Sequence, residues 1–396
     1  MAYCAPSSAG PFGIIVGGSG LVGGSIVYHF KKWGYDILAP NSKKMSLANP
    51  DDIASYFNKY RPDFIINTAI AAIDANPKLA FDVNYVGSIN LAKVAMALKI
   101  PYIFFSSAAV LPPGLNLREE DHLPLSADIT NYAKSKLMSE MTLRHLGENE
   151  GLDYTTIRLA IVYGKHDHKI QGFHRMLFAI ADQSMPVLLT RPRVYHSYSN
   201  TRKIPHFVRH VLSNREEFSG QTFHFADPNP VELAQLILTI RSYLELKSPR
   251  EVYLPLPMAR FGATCIQHLI RFLAKIGIKT RMPPELMFLE NFYQSQTLSC
   301  EKLQRSSFQD PFPEETVFTR LPDLIQYYLT RWEQLNLMTS KTQDFFDPQK
   351  LSEEFLRNPA QLLEAIHERK LSPFMEPRFN PSCGVRKSAA TRSHHC

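Results

Sequence analysis

Glycines 17, 20 and 23 stand directly after the apolar run Phe12–Val16 and open a stretch of helical period that extends from Val22 to Trp33. A short apolar run that ends in a glycine turn and continues as an amphipathic helix predicts a strand followed by a crossover helix, and such units build parallel sheets. The same alternation recurs to about residue 225. Apolar runs at 12–16, 35–39, 64–67, 102–106, 154–159, 187–189 and 222–225 predict strands, and the stretches 22–33, 50–59, 77–98 and 132–148 predict helices. Arg61, Pro62 and Asp63 stop a helix ahead of the third run, and Asp51 and Asp52 sit where helix N-termini favour acids. The expected fold class is α/β, a doubly wound parallel sheet with helices on both faces.

At 396 residues, 44% of them hydrophobic, the chain can bury a large core in two or three domains. Beyond about 226 the pattern turns helical, with 231–246, 258–276, 284–293 and 321–335 as predicted helices. From about 337 periodicity fades, and the polar tail 382–396 is expected to be disordered. The five cysteines are odd in number and scattered, which argues against a disulfide framework and a zinc site. His166, His168 and His174 lack a carboxylate at metal-ligand spacing and read as loop or core histidines, so no metal is expected. A net charge of +7 suits anionic ligands or a membrane surface, although Arg386, Lys387 and Arg392 of the tail supply part of it. No nucleic-acid-binding motif accompanies that charge. The chain holds no run of eighteen uncharged apolar residues, and its first residues lack a signal-peptide pattern, so a cytoplasmic location is expected.

The glycine spacing G-x-x-G-x-x-G has a chemical reading. The first glycine permits a tight turn, the second lets backbone N–H groups approach a pyrophosphate, and the third lets the helix pack closely on the sheet. Gly17, Gly20, Leu21, Val22 and Gly23 are therefore candidate contacts to a dinucleotide. The stretch after the second run, Asn41-Ser42-Lys43-Lys44, has no acid for a ribose 2′-hydroxyl and two ammonium groups for a 2′-phosphate. It favours NADP(H) over NAD among NAD(P) cofactors, while a solvated loop is the competing reading of Lys43 and Lys44. Tyr132 and Lys136 are four residues apart, one turn of helix, so the ammonium can help the phenol exchange a proton near neutral pH. Ser107, at the end of the 102–106 run, can hydrogen-bond a substrate oxygen beside that phenol.

These residues resemble the extended short-chain dehydrogenase/reductases, the class of nucleotide-sugar epimerases, dehydratases and reductases, over about residues 11–335. Arg61 to Ala69 resembles the family's third strand, which places Ala69 against the cofactor. Asp82 to Gly87 resembles its helix motif, in which Asn84 supports the active site and joins the cofactor-binding candidates. Phe105 to Val110 resembles its serine strand, and counting back from Val110 selects Ser107. Arg158 to Gly164 resembles the segment that reaches the nicotinamide. The spacing is most similar to the dTDP-4-dehydrorhamnose reductase branch, from which Ser46, Ala108 and Ala160 depart.

The resemblance implies a Rossmann-type NAD(P)-binding domain over 11–225 with substrate-region insertions from about 165, and a smaller, mostly helical substrate region over 226–336. Residues 337–396 form an extension. It implies catalysis by Ser107, Tyr132 and Lys136 and oxidoreduction of a keto or hydroxyl group, with a nucleotide-sugar as substrate. Epimerisation or dehydration with retained NAD, and a non-catalytic NADP-binding regulatory subunit, are the alternatives. Arg191, Arg193, Arg202 and Lys203 are the candidate substrate-binding residues, since guanidinium forks suit a diphosphate. The stretch 261–278 carries His268, Arg271 and Lys275 at helical spacing among apolar residues, which suits a wall of the substrate cleft or peripheral contact with a membrane. A homodimer is compatible with this reading.

Overall fold

The computed structural model describes residues 10–335 apart from 74, 184–186, 189–192, 245, 247–249, 252–254, 259–260, 263, 267 and 269–291, and beyond 335 only 337, 355–356, 359–360 and 363. The chain divides into two compact units, Met1–Thr330 and Arg331–Cys396. The first contains the central sheet.

Six strands form that sheet: β1 (Phe12–Val16), β2 (Asp36–Leu38), β3 (Phe64–Asn67), β4 (Tyr102–Ser107), β5 (Tyr154–Leu159) and β6 (Gln221–Phe225). All pair in parallel, in the order β2-β1-β3-β4-β5-β6. Successive residues face opposite sides, and both sides are covered: Ile15, Ile66, Ile103 and Ile157 belong to one apolar cluster, Ile14, Ile65 and Phe104 to the other. Double burial is why these strands read as continuous apolar runs. The strand order reverses beside β1, because β2 leaves to one side and β3 to the other. Such a reversal opens a crevice at the carboxyl ends of the strands.

The helices used below are α1 (Leu21–Lys32), α2 (Pro50–Lys59), α3 (Gly87–Leu98), α4 (Asn131–Glu150), α5 (Gly172–Ala181) and α6 (Ile204–Ser213). Helix α2 starts where the sequence predicts it: Asn49 accepts the Asp51 N–H, Pro50 fills the first turn, and Asp51 and Asp52 meet the positive helix end. The expected helix 77–98 contains a π-helical stretch, Ala80–Val86, ahead of α3. Its wider turn seats Asn84 inside the molecule. Val187–Leu188 leaves the central sheet and pairs with Arg250–Glu251, a partner 63 residues away that no local pattern reveals. Helix α6 was not anticipated, although Ile204, Phe207, Val208 and Val211 have helical spacing and are all buried. A second, four-stranded sheet in the order Val231–Glu232, Tyr195–His196, Gln296–Leu298, Gly114–Leu117 joins distant segments beside the end of β4.

Most of the expected helices 258–276 and 284–293, including Arg271 and Lys275, and most of 337–396 lie outside the described residues. No helix among the described residues is long and apolar enough to cross a membrane.

Candidate active site

The carboxyl ends of β1, β3, β4 and β5 line a cavity of about 960 Å³. At one end lies the glycine turn. Gly17 has φ +86°, in the left-handed region that favours glycine, and a Cβ there would stand 2.6 Å from the Ala69 nitrogen. A Cβ at Gly23 would stand 2.3 Å from the Gly17 oxygen, so this glycine lets α1 approach the turn. Gly20 differs, because the atom nearest to an added Cβ is the Gly17 oxygen at 3.3 Å and the remaining space belongs to the cavity. Helix α1 has no side-chain cap and no acid in its first turn. Its first N–H groups, at Leu21 and Val22 on the cavity wall, are a ready anion site.

Pro40, Asn41, Ser42 and Met45 to Ala48, with Ala69 and Ile70, line the side of the cavity where the sequence reading expects the adenosine of a dinucleotide. Asn41 accepts the Lys43 and Lys44 N–H groups, each at 3.1 Å, and thereby shapes the loop. Lys43 and Lys44 themselves are exposed and stand off the described wall. No carboxylate lies on this side among the described lining residues.

The other wall carries Ser107, Tyr132 and Lys136. Thr130 caps α4 by accepting the Ala133 N–H at 3.1 Å, which fixes the helix start just ahead of Tyr132. Ser107 ends β4, accepts the Ala109 N–H at 3.2 Å, and hydrogen-bonds the Tyr132 hydroxyl. Burial raises the phenol above its usual range and the Ser107 bond opposes that rise, so Tyr132 rests protonated. Lys136 is only 1% exposed. Its ammonium donates to the Phe105 carbonyl at 2.7 Å and sits 4.6 Å from the centroid of the Phe104 ring. Burial pushes it down to about 7, against the pull of Glu140 one turn further along α4.

Asn84 stands behind the described cavity wall and supports it. Its side-chain carbonyl accepts the Ala71 N–H at 2.7 Å, its amide donates to Ser135 at 3.2 Å, and its main-chain carbonyl accepts from Ser139 at 3.1 Å. The loop after β3 is thus tied to α4. The expected substrate contacts have partners of their own within the chain. Arg202 pairs with Glu315 and stacks on Phe312, while buried Lys203 meets Asp310 at 2.8 Å and Asp227 at 3.2 Å. Arg193 donates its N–H to Glu232 at 2.8 Å and is not on the described wall. Arg191 lies outside the described residues. A cluster of cations was legible, but the acids that pair with Arg202 and Lys203 come from distant segments.

Besides Lys136 and His196, the basic groups on the described cavity wall are His168, Lys169 and Arg175, on the loop before α5 and on its first turn. Sequence reasoning missed Lys169 and Arg175 because it did not recognise α5, although Phe173, Leu177 and Ile180 repeat at helical spacing. His174 faces the interior, stacked on Tyr328 at 4.1 Å, as expected for a core histidine. Gln296 donates to the Leu111 carbonyl at 3.1 Å and the Ala108 carbonyl at 3.2 Å, and so braces the turn that follows Ser107. No group of histidine, cysteine or acidic residues fit to hold a metal occurs among the described residues.

Residues 14–186 match the NAD dependent epimerase/dehydratase family. The chain is similar to GDP-L-colitose synthase of Yersinia pseudotuberculosis, 27% identical over 188 residues that make up 45% of this chain and 61% of that protein. It is 28% identical over 303 residues to the spore coat polysaccharide biosynthesis protein SpsK of Bacillus subtilis, 73% of this chain and 99% of that one. With methionine adenosyltransferase 2 subunit beta of Xenopus laevis it shares 29% over 176 residues, 42% of this chain and 51% of that one. It thus spans less than two thirds of the first and third of these relatives. A solved dTDP-4-dehydrorhamnose reductase from Yersinia enterocolitica has the same fold, with a TM-score of 0.57, 18% identity, and coverage of 80% of this chain and 99% of that chain.

Proposed function

We propose that this chain, whose residues 14–186 belong to the NAD dependent epimerase/dehydratase family, is an NAD(P)-dependent oxidoreductase acting on a keto or hydroxyl group of a nucleotide-sugar. The observation that carries this reading is the placement of Ser107, Tyr132 and Lys136 on one wall of a cavity whose other end is the glycine turn and the uncapped start of α1. A dinucleotide fits that arrangement, since its pyrophosphate needs backbone N–H groups and the space that Gly20 leaves open. When bound, the nicotinamide supplies or accepts the hydride. In the reducing direction Ser107 hydrogen-bonds the substrate carbonyl oxygen and the protonated Tyr132 delivers a proton to it. Lys136 beside them stabilises the phenolate that remains.

NADP(H) is favoured by the carboxylate-free adenosine side and by Lys43 and Lys44, exposed on the loop whose Asn41, Ser42 and Met45 line it. Gly20→Val is expected to melt near the parent, because its backbone has φ −81° and ψ 173°, and to lose NADPH binding in a fluorescence titration. Equal NADPH affinity in both proteins removes the turn from the mechanism, and a clear preference for NADH removes the role given to Lys43 and Lys44.

Lys169 and Arg175 are the groups we assign to the substrate diphosphate, since cations on the wall opposite the adenosine side suit that anion. Lys169→Ala and Arg175→Ala are each expected to raise KM about tenfold or more, the worth of one charge-assisted hydrogen bond, with a smaller change in kcat. An unchanged KM in both would move the diphosphate elsewhere. Net turnover of added cofactor separates a reductase from an epimerase or dehydratase that keeps its NAD. The likeness to methionine adenosyltransferase 2 subunit beta supports a second reading, a subunit that binds cofactor without catalysis. Tight NADPH binding without turnover on any sugar nucleotide would select it.

A further inference from the structure

We propose that Glu140 is a positioning residue for the active site: its buried carboxylate, locked in place by Arg158 one helical turn beyond Lys136, favours the ammonium over the neutral amine of that lysine. Glu140 lies one helical turn beyond Lys136 on the buried side of α4, and the two are 4% and 1% exposed. It is the charged group that acts on Lys136. Of the other groups at Lys136, Tyr132 on its own helix is protonated, and β4 offers only the Phe105 carbonyl and the Phe104 ring.

The carboxylate is held firmly. Arg158 on β5 grips it through Nε at 3.0 and 3.1 Å and through Nη2 at 2.7 Å, a forked contact between two buried side chains. The guanidinium is fixed in turn, since Nη1 donates to the Glu119 carbonyl at 2.9 Å, to the Asp121 carbonyl at 3.1 Å, and approaches His224 Nε2 at 3.3 Å. Burial, seconded by Arg158, pushes His224 down to about 3, so it is neutral and adds no charge. A carboxylate gripped in this way cannot turn toward water.

The geometry answers a problem the site sets for itself. A lysine as deeply buried as Lys136 loses its hydration, and even with Glu140 near it the ammonium is pushed down to about 7. A neutral amine would neither favour the Tyr132 phenolate nor balance a cofactor's charge. A fixed anion one turn away opposes that loss without reaching the cavity, whose described lining does not include Glu140.

The inference rests on the assignment of Lys136 above, but its test needs neither cofactor nor substrate. The 13Cε signal of Lys136, identified by its loss in Lys136→Met, is followed against pH in labelled parent, Glu140→Gln and Glu140→Asp. The parent is expected to titrate near 7, Glu140→Gln about one unit or more lower, and Glu140→Asp, which keeps the charge, close to the parent. If Glu140→Gln does not fold, the comparison runs through Arg158→Lys, which keeps the cation and loses the fork, and a downward shift is again expected. Titration of Lys136 at the same pH in the parent and the folded variant overturns the proposal. NADPH titration of the same samples reads the cofactor assignment separately: parent binding without any shift in Glu140→Gln sinks only the role of Glu140, and a shift without binding sinks only the cofactor.

Discussion

Tyr132→Phe is expected to fold, to bind NADPH as the parent does, and to lose about a hundred- to ten-thousandfold in kcat, the usual worth of proton transfer by a positioned side chain. The substitution deletes one oxygen from a side chain at the start of α4, so neither the Thr130 cap nor the buried positions of that helix change. What disappears is the hydroxyl that Ser107 holds and that burial keeps protonated. Ser107→Ala should cost less, because the phenol remains and only its orienting partner goes. Single-turnover and steady-state rates on any accepted sugar nucleotide check the order of these effects. A Tyr132→Phe rate equal to the parent's would remove Tyr132 as the acid and leave Lys136 and Ser107 without a reacting proton to serve.

The parts of the site that the sequence made legible are those encoded within a few residues. The glycine turn follows β1 directly, Tyr132 and Lys136 share one helix, and a serine closes β4, so local spacing together with the family resemblance that selects Ser107 points to one end of the sheet. The parallel sheet was legible for the same reason, as each buried strand is a local apolar run. What escaped depends on partners far apart in the chain. Lys203 looked like a free cation until Asp227 and Asp310 met it across 24 and 107 residues. Arg158 seemed only part of the segment that leads to the nicotinamide, yet its guanidinium spans Glu140, the Glu119 and Asp121 carbonyls and His224. Lys169 and Arg175 were missed because the short helix at Gly172–Ala181 was not recognised, and their position on the cavity wall is a tertiary fact.

Arg158→Met is expected to destabilise the first unit by about 3–5 kcal/mol, because it leaves the Glu140 carboxylate buried without its partner. A surface ion pair would be worth far less, about 1 kcal/mol at most, so the size of the loss itself reports the burial. The double change Arg158→Met with Glu140→Met should recover most of the loss, since two apolar side chains of similar length remove both charges at once. Urea unfolding followed by circular dichroism checks both statements, and a single change that costs under 1 kcal/mol would show the pair to be hydrated. The double variant also separates the two tasks of Glu140. It regains stability and still lacks the anion beside Lys136, so its lysine should titrate below the parent, though less far than in Glu140→Gln, where the unpaired Arg158 cation adds its repulsion. Recovery of stability together with a parental Lys136 titration would mean that the ion pair serves the core alone. Recovery of stability alone would mean that the charge is retained for the chemistry of the cavity.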